Sequence, residues 1–150
     1  MFLNVLETDL KKVLSPLRAE TPARWGRLNA QQMIEHLEWV VQMSTGKHAV
    51  QQEIPEDKIE RAKKFLASEH PMPKDFRANF IPADPASCRH ENLEQAIDKL
   101  VEEVKAFEKY YSENPQRTHL HPSFGILNAQ EWTRIHDKHF THHFQQFGIL

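Results

Sequence analysis

The sequence predicts an all-α protein: one four-helix-bundle domain with a long crossover connection, spanning residues 1–150. Three observations carry that prediction. Apolar residues recur at 3–4 spacing in several separate segments, which is the signature of amphipathic helices. Two helix starts carry the same tetrapeptide, Leu28-Asn29-Ala30-Gln31 and Leu127-Asn128-Ala129-Gln130, with an asparagine placed to cap. No stretch sustains period-2 alternation, so no sheet is expected.

The elements follow in order. Leu3, Leu6, Leu10, Val13 and Leu17 predict a first helix stopped near Pro16. Residues 18–27 are a connection holding Pro22, Trp25 and Gly26. Asn29 and Gln32 form a capping box for a second helix that runs to about Thr45, with Gly46 suited to the left-handed residue after its end. Pro55 opens a shorter helix carrying Ile59, Ala62, Phe65 and Leu66. Pro71, Pro73, Pro82 and Pro85 exclude a helix over 69–89, and Phe76, Phe80 and Ile81 suggest a packed covering loop. Leu93, Ile97, Leu100, Val104, Phe107 and Tyr111 step 4-3-4-3-4, the seam of a long bundle helix. Glu91, Glu94, Asp98, Glu102 and Glu103 supply its wet side. A loop with His121-Pro122-Ser123-Phe124-Gly125 leads to a last helix capped by Asn128 and Glu131.

Composition narrows the function. A chain of 150 residues with 39% hydrophobic and 27% charged content can bury a real core. A net charge of −2 gives no electrostatic reason to expect nucleic acid or an anionic membrane as partner. No apolar run is long enough to span a bilayer, and the N-terminal segment is not read as a secretory signal. A single cysteine, Cys88, excludes an internal disulfide and fits a reducing, cytoplasmic setting. It is read as an incidental thiol. There is no Gly-rich phosphate loop, no Gly-x-Ser-x-Gly elbow and no His-Glu-x-x-His.

Histidine is where the sequence speaks of chemistry. There are ten, and four of them (His136, His139, His142 and His143) lie within eight residues. On a helical wheel all four fall within roughly 60° of His139, on the face that Trp132 and Ile135 turn toward the core. Arg134, Asp137, Lys138, Thr141 and Gln145 fall outside that arc, and Asp137 is expected to be a solvated charge. His139 and His143 are one turn apart, so both imidazoles can reach one ion. His36 sits on the apolar face of the second helix with Met33, Trp39, Val40 and Met43, opposite a polar strip of Gln31, Glu35, Glu38 and Gln42. Buried imidazoles without partners are costly, and a shared metal satisfies several at once. His36, His139 and His143 are therefore the candidate ligands, with His136, His142 and His121 as expected neighbours, the first two as alternative ligands. His119 and His121 could also reach the mouth of such a site.

These residues resemble the DinB/YfiT-like superfamily. The resemblance rests on His36 within Met33-Ile34-Glu35-His36-Leu37 and on a C-terminal His-x-x-His-His-x-x-Gln. It is closer to a bacterial subfamily of unknown function within that superfamily. That likeness lies in His121-Pro122-Ser123-Phe124-Gly125, in Glu131-Trp132 and in residues 139–148. The resemblance implies a four-helix bundle, often dimeric, with zinc or nickel held by the three histidines that correspond to His36, His139 and His143. It also implies a metal-dependent hydrolase or a thiol S-transferase. The substrate would be a small molecule, such as a low-molecular-weight thiol, and a homodimer is an expected form. The rival expectation is a non-catalytic bundle whose metal is structural or vestigial. Four histidine ligands would favour that rival, and an open coordination position the enzyme.

Overall fold

Both Leu-Asn-Ala-Gln tetrapeptides start helices by the same hydrogen-bonding exchange. Asn29 Oδ1 accepts the Gln32 amide and Gln32 Oε1 accepts the Asn29 amide, each at 2.8 Å. Asn128 and Glu131 repeat this at 2.9 and 3.0 Å. Each box satisfies two backbone donors that a helix start leaves unpaired. The helices they open are α2 (Ala30–Met43) and α5 (Ala129–Gln146), in a computed structural model that describes residues 1–74 and 87–150. The other described elements are α1 (Leu10–Val13), α3 (Ile59–Ala67), α4 (Leu93–Glu113) and the short strands β1 (His119–His121) and β2 (Gly125–Leu127). Phe76, Phe80 and Ile81 of the expected covering loop lie outside the described residues.

The protein is mostly helical. Helix α2 packs most extensively against α4 and also against α5, while α3 lies on α5 and α1 on α4. The long seam of α4 is buried as expected at Leu100, Val104, Phe107 and Tyr111, with Ala96 added and Leu93 and Ile97 half-buried. Tyr111 donates from its hydroxyl to the Ser44 carbonyl at 2.6 Å, which fastens α4 to the end of α2. Gly46, just beyond α2, has φ +81°, a conformation that favours glycine, and the His119 ring leaves no room there for a Cβ.

The all-α expectation is corrected by a two-stranded antiparallel hairpin, His119 opposite Leu127 and His121 opposite Gly125. Three-residue strands are too short to show alternation, so periodicity could not reveal them. The visible clue was Gly125, at φ +80° after a three-residue loop.

The expected first helix is also corrected. The chain instead makes a 3-10 turn at Val5–Glu7 and then the one-turn α1. Asn4 accepts the Glu7 amide and Asp9 accepts the Lys12 amide, while Thr8 is extended between them. Three short polar side chains thus compete with a continuous helical ladder. The apolar spacing still serves the core, because Leu10 and Leu17 are buried and Leu3, Leu6 and Val13 pack against them.

Helix α5 is covered nearly all the way round, beyond the arc that its histidines define. Asp137, expected to be solvated, accepts the Val5 amide at 2.9 Å. Thr141 accepts the Leu3 amide at 2.8 Å. Lys138 is fully buried and donates to the carbonyls of Phe65 and His70 at 2.6 and 2.8 Å. Its ammonium also lies over the Phe65 ring. Burial pushes the Lys138 pKa down to about 8, with Arg134 nearby adding to the effect. The polar strip of α2 is similarly enclosed: Glu35 accepts the backbone amides of Arg89 and His90, and Glu38 receives the Arg89 guanidinium and the His90 ring.

Candidate metal centre

The site begins with two helix faces that the core turns toward each other. Met33, Leu37 and Val40 are buried on α2, and Trp132, Ile135 and Phe140 on α5. Between them, His36 Nε2 lies 3.0 Å from His139 Nε2, and His139 Nε2 lies 3.0 Å from His143 Nε2. The ligating atoms of these three histidines all fall within 4.8 Å of one another, and no other group of three such side chains among the described residues does so. His143 is buried and the other two are partly exposed, so the cluster sits at the margin of the core.

Their protonation suits ligation. Burial pushes the His36 imidazole down to about 4, and His142 adds to the shift. Burial, then the neighbouring histidines, holds His139 and His143 well below the usual range. All three are therefore neutral near pH 7, the form that binds a metal.

The donor set passes a chemical test for a divalent ion. Gln146 Nε2 donates to the Trp25 carbonyl at 2.8 Å, which turns Gln146 Oε1 toward His143 Nδ1 at 2.7 Å. A carbonyl oxygen only accepts, so His143 carries its proton on Nδ1 and its Nε2 is a bare lone pair. The two Nε2 contacts of His139 then have one proton to share, whereas one cation would satisfy all three nitrogens. Two nitrogens at about 2.1 Å from one ion are about 3.4 Å apart at the tetrahedral angle, so the two 3.0 Å contacts lie a few tenths of an ångström inside the spacing a shared ion would set.

The neighbouring histidines go elsewhere. His136 is buried with its Nε2 3.0 Å from Ser44 Oγ. Ser44 gives its own hydroxyl proton to the Val41 carbonyl, so His136 is the donor in that pair. Its Nδ1 is buried with no hydrogen-bond partner among the described residues. His142 packs edge-on between Trp25 and His143, at 5.5 and 4.9 Å. His121 is buried against Phe124 and Trp132 and accepts the Ser123 amide at 3.0 Å. His119 meets the Tyr110 hydroxyl at 2.7 Å. None of the four joins the group of three. Cys88 is exposed, and partial burial and Glu35 push its thiol pKa up against the opposing pull of Arg89, which disfavours the reactive thiolate.

Sequence reasoning gave no role to Gln146, the glutamine of the C-terminal motif, or to Trp25 in the connection before α2. The signal for Gln146 was present, since it lies three residues beyond His143 on the same helix face. Trp25 contributes through its backbone carbonyl, which no side-chain pattern can announce.

Comparison with known proteins places the chain in a family. It belongs to the family described as Protein of unknown function (DUF1569), whose model matches residues 4–148. No curated protein and no solved structure matches the chain.

Proposed function

We propose that this chain is a metal-dependent enzyme of the DinB/YfiT-like type, a helical bundle that uses a three-histidine site for hydrolysis or thiol transfer. The observation that carries the reading is the convergence of the Nε2 atoms of His36, His139 and His143, with 3.0 Å contacts through His139. A divalent ion held there, zinc or nickel, would lower the pKa of a water or thiol so that it is nucleophilic near neutral pH.

The protein's own residues supply the rest. His36 reaches in from α2 and the other two from α5, so packing of the two helices sets the spacing of the ligands. Gln146 fixes the proton of His143. His136 bonds Ser44 and His121 the loop after β1, and neither belongs to the group of three. Among the described residues the group has three members, and a site that kept its fourth position open for a reacting group would be an enzyme's rather than a structural one. Trp25 and His142 pack as an aromatic pair beside His143.

The experiment is elemental analysis of the purified protein, followed by thiol-transferase and hydrolase screens with and without the metal found. Turnover that requires the metal and is lost in His139→Ala supports the reading. Metal bound at one equivalent with no turnover across both screens would favour the structural role.

A further inference from the structure

We propose that Gln146 is a positioning residue for this site: its side-chain carbonyl holds His143 as the Nδ1–H tautomer and so keeps Nε2 aimed at the ion. The inference rests on the metal-site reading and adds what orients one ligand of that site.

Three features of the structure make Gln146 a fixed acceptor. It is 3% exposed, so water does not compete for its amide. Its Nε2 is committed to the Trp25 carbonyl at 2.8 Å, and turning the amide over would set oxygen against oxygen there. Its backbone is held as well, because the Arg24 amide donates to the Gln146 carbonyl at 2.7 Å. Gln146 is the last residue of α5, where helices fray, so these bonds to the connection before α2 do work that the helix end cannot.

Gly26 shows how closely the connection is fitted to this amide. A Cβ at position 26 would come within 2.7 Å of Gln146 Nε2, and the residue has φ +79°. The backbone conformation calls for glycine, and a Cβ there would force the Gln146 amide to shift. The result is a relay from the Trp25 carbonyl through the Gln146 amide to His143 Nδ1, with His143 Nε2 at its far end facing His139. Outer partners of this kind set the tautomer and the ring orientation of a ligating histidine.

The test uses the full chain labelled with nitrogen-15 in histidine, metal-free and then titrated with cobalt. Long-range proton–nitrogen correlation reads the tautomer of His143 without metal, and the visible cobalt spectrum reads its ligation. The wild type should show the Nδ1–H form. Gln146→Leu should lose that preference and bind cobalt roughly 10- to 100-fold more weakly with an altered spectrum. Gln146→Glu keeps an acceptor beside Nδ1 but sets an oxygen against the Trp25 carbonyl, so it should retain the tautomer while losing less affinity than Gln146→Leu. An Nε2–H tautomer in the metal-free wild type overturns the role even if no variant folds. So does a folded Gln146→Leu protein with wild-type affinity and spectrum. If the wild type takes up no cobalt, the metal site itself fails and this role with it; an Nδ1–H tautomer in that same sample would locate the failure in the ligands rather than in Gln146.

Discussion

His36 and His139 stand 103 residues apart in sequence and bring their Nε2 atoms to 3.0 Å. One nitrogen comes from α2 and the other from α5, so an ion bound between them would link the two helices in the folded state alone. Zinc or nickel should therefore raise the thermal midpoint, by a stabilisation of about 2.7 kcal/mol at one hundred times Kd. A chelator should reverse the shift, and His36→Ala should abolish it. Scanning calorimetry with and without metal checks this, and a shift retained in His36→Ala would place the ion elsewhere.

Leu100 lies at the centre of the α4 seam and is fully buried. Leu100→Ala should cost about 2–5 kcal/mol from lost transfer energy plus the cavity left behind. Denaturant unfolding measures it. A loss below about 1 kcal/mol would mean that the seam relaxes around the gap.

Asp137 should anchor the N-terminus. Its carboxylate accepts the Val5 amide, and removing it leaves that donor part-buried and unpaired. Asp137→Ala should cost about 1–3 kcal/mol and expose residues 1–8 to hydrogen exchange. Asp137→Asn keeps an acceptor and should lose less. Equal losses for the two would assign the effect to packing rather than to the hydrogen bond.

Acid should destabilise the metal-free protein before its carboxylates titrate. Burial pushes His136 down to about 3, against an ordinary value of 6.5. As pH falls below about 6.5 the unfolded chain takes up a proton at His136 that the folded chain refuses. Stability is then lost down to about pH 3 and levels off below it. Each such histidine contributes a slope of about 1.4 kcal/mol per pH unit inside that window. His136→Asn, neutral throughout, should flatten the curve by one proton's worth between pH 6 and 4. An unchanged slope in that variant would show that His136 is protonated in the folded state.

Much of this architecture could be read from the sequence, and the parts that could not share a physical cause. The capping boxes at Asn29 and Asn128 are local chemistry, complete within four residues, and the α4 seam repeats over five turns. The three candidate ligands were legible because two wheels each placed histidine among residues that must be buried. Asp137 was misjudged for the converse reason. It lies off the histidine arc, but α5 is enclosed by the N-terminal segment and by α3, and a wheel drawn from one helix does not show what packs on its far side. Thr8 and Asp9 broke the first helix because a hydrophobic period does not weigh side chains that bond to their own backbone. The hairpin after α4 escaped because three residues are too few for any period.

The account stands on one measurement, the metal content of the wild type and of each single alanine variant at positions 36, 136, 139, 142 and 143, taken after each is confirmed to be folded. The structure predicts one divalent ion per wild-type chain. His139→Ala should lose it most completely, since His139 makes both 3.0 Å contacts. His36→Ala and His143→Ala should bind weakly, and His136→Ala and His142→Ala should stay close to full occupancy. A wild-type protein that remains metal-free in zinc and in nickel, or a His139→Ala protein that binds as tightly as wild type, would contradict the site.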